Sequence, residues 1–240
     1  WDAFPLHPAT QDAIDGLLTG TKLPPDHLVC DLPPGFGLGT VEKIAINAAM
    51  AGAKPEHMPV IIGAVKALSQ IGPQGGKSLL MSTSPQAPLL VVNGPIAREL
   101  DINARSALGP GFDNRFNITI GRAFTLCMRN LGYWYPNKMD MDTIGTTRKF
   151  VMCLAENEQM SPWDPYHVDK GFKAEESTVT VFIGIGELDV QDQGNTTAEG
   201  LLKNLAYGAT FGNRSLGDHH TRETLILMPP DVADRKSTRL

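Results

Sequence analysis

Along the chain, short unbroken apolar runs alternate with longer stretches in which apolar residues recur every three or four positions. The runs read as strands covered on both faces and the longer stretches as helices. Residues 8–18 predict a first helix, with Pro8 early and Gly20 near its end, and "HLVCDL" a short strand behind it. "PPGFGLGT" reads as a glycine-rich loop leading into "VEKIAINAAMAGA", a helix with Thr40 as N-cap, Glu42 in its first turn and Gly52 as its stop. Pro55 and Pro59 restart the chain into "VIIGAVKALSQIG", a second apolar helix. "SLLMSTS", "PLLVVNG", "RKFVMCLAE", "STVTVFIGIG" and "ETLILMP" read as strands. Ile120, Phe124, Cys127 and Leu131, spaced 4, 3 and 4 apart, place the longest helix between Gly109 and Leu131, and "TTAEGLLKNLAYGA" predicts another.

Helices interleaved with such strands predict an α/β fold, a layered sheet with helices on both faces. Residues 1–234 are expected to form one domain, with 133–147 as the place where two lobes would divide. The last residues, "DRKSTRL", break from the preceding style and resemble a translated adapter tail at the end of an assembled metagenomic reading frame. Residues 235–240 are therefore expected to be foreign, with the natural protein continuing past about Asp234.

Composition narrows the classes. A hydrophobic share of 42%, a charged share of 20% and a net charge of −5 describe an ordinary globular protein with no basic face for nucleic acid. The longest apolar runs reach about half of the roughly 20 residues that a membrane span needs. Cys30, Cys127 and Cys153 are far apart, so neither a disulfide framework nor a zinc site is indicated, and a reduced, cytoplasmic setting is expected. Small-residue helices and the exposed-looking "YWYP" predict a homo-oligomer.

The densest cluster of chemistry is "AENEQMSPWDPYHV", residues 155–168, just past a strand end, where open α/β sheets bind ligands. Glu156 and Glu158 are two apart, so an extended chain turns both to one side, where they could split their proton affinities or ligate a cation. His167 lies three past Asp164, close enough for a helical turn to orient the imidazole. The structural alternative is a solvated loop capping a short helix from Pro162, with Trp163 covering the core edge. Gly35, Gly37 and Gly39 precede a helix N-terminus and could turn N–H groups toward an anion, or simply form a turn. Gly111 opens a second glycine-led approach to a helix, along which Asn117 and Arg122 follow. Arg122 could hold a carboxylate bidentately or pair with an acid at the sheet edge. Asn47 and Asn93 are candidate orienting amides. "GGKS" lacks the earlier glycine of a phosphate-binding loop, and His219–His220 lack the spacing of a helical metal motif.

At "TVEKIAINAAMAGAKPEHMPVIIGAVKAL", "VVNGPIARELDINARSALGPGFDNRFNITIGRA" and "LAENEQMSPWDPYHV" the chain resembles the UGSC (seleno)protein-like bacterial family. The resemblance spans most of residues 8–230 and implies thiol or selenol redox chemistry, carried in that family by a small domain with a U/C-G-S-C motif. That motif is missing here, and Ala53 stands where relatives commonly carry cysteine.

These readings converge on an enzyme body that binds a small polar, anionic substrate. Glu156 or Glu158 would move protons and His167 would assist. Arg122 and the glycine loops would hold the anion, with Asn47, Asn93, Asn117 and Trp163 around it. No cofactor is assigned. A thiol-bearing domain or subunit is the expected partner for redox work. Two alternatives stand beside it, a non-catalytic binding or scaffold subunit and a metal-dependent lyase.

Overall fold

The computed structural model describes residues 2–150, 152–192, 194–195, 197–212, 224–230 and 232–233. The chain forms two units, one of residues 1–156 with 165–185, the other of 157–164 with 186–240. Residues 133–147 lie inside the first unit, and the tail at 235–240 and the His219–His220 pair lie outside the described residues.

The first unit opens with helix α1 (Gln11–Leu18), which starts at Thr10 rather than Pro8 because the Thr10 hydroxyl accepts the Ala13 N–H at 3.3 Å. Strands β1 (Leu28–Leu32) and β2 (Gly37–Thr40) pair antiparallel. The segment expected as a glycine loop is thus the turn and second strand of a hairpin. Helix α2 (Val41–Met50) follows directly, capped by the Thr40 hydroxyl on the Lys43 N–H, and the chain leaves it through Gly52 at φ +77°.

Helix α3 (Met58–Ser69) is succeeded by the short α4 (Gly72–Gly75), which runs into a π-helical turn at Gly76–Leu80. "SLLMSTS" is therefore not a strand. A Cβ at Gly76 would lie 3.0 Å from the Pro33 side chain, so this segment coils against the hairpin turn instead of extending beside a strand.

Strand β3 (Ala87–Asn93), helix α5 (Pro95–Glu99), helix α6 (Arg115–Asn130), strand β4 (Met152–Ala155), helix α7 (Tyr166–Asp169) and strand β5 (Thr178–Gly184) complete the unit. The sheet order is β4-β3-β5, with β3 parallel to β4 and antiparallel to β5. Both sides of β3 are covered, which accounts for its unbroken apolar sequence. Helix α3 packs on β5 and α6 on β4, so the fold is α/β.

The predicted stripe Ile120, Phe124, Cys127 and Leu131 is buried along α6. Each such large side chain contributes about 1.5–3 kcal/mol by leaving water. The alanines of α2 let α1 and α6 come close, so its small-residue face is covered within this chain. Within "YWYP", Tyr133 is exposed, but Trp134 is buried and donates its indole N–H to the Leu80 carbonyl at 2.8 Å.

In the second unit, helix α8 (Ala198–Gly212) matches its prediction, with Glu199 and Lys203 paired four apart on an exposed face. The "ETLILMP" segment is not a strand over 224–229. Ile226 and Leu227 there are both more than half exposed, and no described strand offers them a ladder.

One buried histidine ties this fold to pH. His57 is 1% exposed, packs edge-on against Phe116, and accepts the Lys54 N–H on Nδ1 at 3.1 Å. Burial pushes its pKa down, helped by the charge of Lys54 and opposed by that of Glu56. A histidine held neutral in the fold but free to protonate when unfolded gives stability that is complete above about pH 6.5 and is lost as pH falls through the lowered folded value. Urea midpoints between pH 7.5 and pH 5 should therefore fall more in the wild type than in His57→Gln. Equal slopes would remove His57 from the account.

Candidate functional site

Parallel pairing sets Val92 beside Ala155, so the residues that follow, Asn93 and Glu156, emerge together at the carboxyl ends of β3 and β4. This edge is where an open α/β sheet presents polar groups to a ligand. Asn93 is fully buried and donates from Nδ2 to Glu156 Oε2 at 2.5 Å. The Tyr166 N–H, the first of α7, donates to the same oxygen at 2.8 Å. A carboxylate at a helix N-terminus answers both the unpaired N–H groups and the positive end of the helix dipole. Among the described residues Glu156 Oε1 has no hydrogen-bond partner.

The rest of the edge is built to hold that pair. Gly94 turns the chain at φ +84°, and a Cβ there would stand 2.2 Å from the Glu176 carbonyl oxygen. The Ser177 hydroxyl accepts the Ile96 N–H at 3.1 Å and fastens the start of α5. His167 follows Tyr166 on α7 and is 1% exposed.

The structure separates the other residues of the opening cluster. Strand β4 ends at Ala155 and the chain turns at 157–160, with Met160 and Ser161 N–H groups both on the Asn157 carbonyl. The two-residue alternation that would align Glu156 with Glu158 therefore stops before it reaches them. Glu158 and Trp163 belong to the second unit, where Trp163 is 48% exposed and shares a tight turn with Ser161. Helix α7 starts at Tyr166, so Asp164 does not share a helical turn with His167.

Three further candidates are bonded within the chain. Asn47 donates to the Lys43 carbonyl at 2.8 Å and accepts from Asn130 at 2.6 Å, and the Tyr135 hydroxyl continues the chain to Asn130. Asn117 donates to the carbonyls of Asn103 (3.0 Å) and Cys153 (2.9 Å) and accepts the Asn103 N–H (2.9 Å). Arg122 holds a carboxylate bidentately, as its geometry predicted, but the carboxylate is Asp2, at 2.7 and 3.1 Å. Burial pushes the Asp2 carboxyl up, yet the Arg122 hydrogen bonds and charge outweigh it and hold the group below its ordinary value.

The first glycine loop spends its N–H groups on backbone carbonyls. The N–H groups of Gly35 and Gly37 donate to the carbonyls of Gly132 (2.8 Å) and Leu131 (3.1 Å), and Gly39 pairs with Cys30 in the hairpin. A Cβ at Gly37 would sit 2.2 Å from the Leu131 carbonyl oxygen, so close backbone approach accounts for the glycine. Gly111 is exposed at a 3-10 turn whose carbonyl accepts the Asn114 N–H at 3.1 Å. Asn103 and Ser177 are polar anchors that sequence reasoning missed. Asn103 sits in the "INARSALGPGFDN" stretch, whose side-chain amides were the available signal.

Burial pushes all three thiols away from the reactive thiolate, Cys30 up to about 11, Cys153 up to about 12 and Cys127 higher still. Among the described residues no group of three or more His, Cys, Asp or Glu side chains is placed to hold a metal ion, and no helix is long and apolar enough to cross a membrane. A separate cavity of about 380 Å³ lies between α1 and the end of α2, lined by His7, Asp12, Leu17, Ala49 and Gly52 among others.

Fold and site together define an α/β protein with an anchored carboxylate at the carboxyl edge of a parallel strand pair. Comparisons with protein-family models, with curated proteins and with solved structures find no match to this chain.

Proposed function

We propose that this chain is the body of an enzyme acting on a small polar molecule at the carboxyl edge of β3 and β4, with Glu156 as the group that moves the proton. The observation that supports this is the asymmetry of its carboxylate. Two donors fix Oε2, while Oε1 carries no bond among the described residues and can take or give a proton in a set direction. Asn93 and the Tyr166 N–H are the positioning groups, and His167 follows Tyr166 on α7. Of the groups expected to hold an anionic substrate, Arg122 bonds Asp2, and the Gly35 and Gly37 N–H groups bond backbone carbonyls. Redox chemistry, implied by the UGSC-like resemblance, would fall to a thiol-bearing partner, because the thiols here are buried or half-buried with raised pKa values. A cytoplasmic location belongs to the same reading.

A second reading, a binding or scaffold subunit without turnover, draws on the internal bonds of Asn47, Asn117 and Arg122. Glu156→Gln distinguishes the two. Its amide oxygen still accepts from Asn93 and Tyr166, but the group can no longer exchange a proton. A proton-transfer role predicts a melting temperature no lower than wild type and loss of turnover on the order of 10²-fold against a panel of small hydroxy- and oxo-acids and amides. A clear drop in melting temperature, with turnover unchanged, would leave Glu156 as a helix cap alone.

A further inference from the structure

The chain before α1 is an irregular strap. Its Asp2 side chain is 8% exposed and grips Arg122, which also donates to the Pro5 carbonyl at 2.9 Å. Phe4 is 45% exposed, with its ring edge-on to Phe150 at 5.3 Å and 5.7 Å from the Arg122 guanidinium. The His7 N–H donates to the Met50 carbonyl at 3.1 Å. Between these points Ala3 takes φ +70°, a conformation that favours glycine and that other residues adopt only where their surroundings impose it.

Arg122 is the anchor of this arrangement. Its guanidinium is 19% exposed, and among the described residues every hydrogen bond it makes goes to the strap, none to the helices and strands around it. A nearly buried guanidinium needs a carboxylate partner, and a bidentate one satisfies it best. The body of the fold therefore presents a carboxylate-binding group, and a segment ahead of α1 fills it. Phe150 precedes β4 and Glu156 follows it, so this place is at the other end of that strand from Glu156.

We propose that Arg122 is the centre of a second binding site, for a small carboxylate ligand, and that Asp2 occupies it as an intramolecular stand-in which the ligand displaces. The site is independent of the role assigned to Glu156. A tethered carboxylate competes at an effective concentration of about millimolar, so a free carboxylate binds the wild type weakly until the strap is disarmed.

The test uses the full chain with malonate as probe, following the Arg122 Nε–H resonance by NMR. Asp2→Ala should strengthen saturable malonate binding at least tenfold over wild type, and Arg122→Gln should abolish it. Asp2→Asn, which keeps the shape of the strap and removes its charge, should behave like Asp2→Ala and covers the case in which that variant folds poorly. Absence of saturable binding in both Asp2 variants, or equal perturbation of the remaining spectrum in Arg122→Gln, overturns the proposal.

Discussion

Asn117→Leu is expected to lower the folding free energy by about 3–5 kcal/mol, a fall of roughly 10 °C in melting temperature for a chain of this size. The reason is a count of stranded groups. Asn117 satisfies the N–H and the carbonyl of Asn103 and the carbonyl of Cys153, all through one side chain that is 2% exposed. Leucine fills a similar volume but leaves three backbone groups without partners, at about 1–3 kcal/mol each when buried. Asn117→Asp sharpens the test, because aspartate keeps the acceptor for Asn103 while losing both donors. It should be at least as harmful at neutral pH and recover in part in acid, when a protonated carboxyl can donate again. A loss below about 1 kcal/mol for the leucine variant, read from urea denaturation, would mean that water replaces the amide.

Gly94→Ala is expected to cost about 3 kcal/mol or more and to disturb the site as well. Its backbone stands at φ +84° and ψ −170°, a region open to almost no residue but glycine. The added methyl would meet the Glu176 carbonyl oxygen at 2.2 Å, backbone against side chain, so the approach to β5 must move away from β3. Since Asn93 is the neighbouring residue, its grip on Glu156 moves with it. Gly111→Ala is the matched control. At that position the nearest atom to a new Cβ is the Asn114 amide nitrogen at 3.9 Å, and the change should stay within about 0.5 kcal/mol. Comparable losses at both glycines would show that loss of glycine itself, and not the close approach at Gly94, sets the cost.

The parts of this fold that could be read from the chain are those fixed by local chemistry. Thr40, Glu42 and Gly52 mark the limits of α2 because capping and left-handed turns act over one helical turn. The apolar run of β3 marks a strand because residues on both its faces are buried. What escaped depends on distant backbone. "PPGFGLGT" is a hairpin because Leu131 and Gly132 receive its N–H groups, and nothing within the segment announces that partner. "SLLMSTS" has strand composition, but its first residues coil into the π-helical turn that runs on from α4. At the site, Asn93 and Glu156 were each legible as strand-end residues, whereas their contact across 63 positions follows only from the parallel register. The pairing of Arg122 with a carboxylate was legible from geometry, and the identity of that carboxylate was not.

The order of the sheet also governs when the protein can form during synthesis. β3 holds the central place, yet its first partner in the chain begins at Met152 and its other partner ends at Gly184. From its release until β4 is made, β3 therefore stands with both its edges unpaired, an apolar seven-residue segment open to other chains. Helices α1, α2 and α3 precede β3 in the chain and are complete by then. The interval between residue 93 and residue 184 is the period of greatest exposure to aggregation, and slow translation across it would lengthen the need for a chaperone.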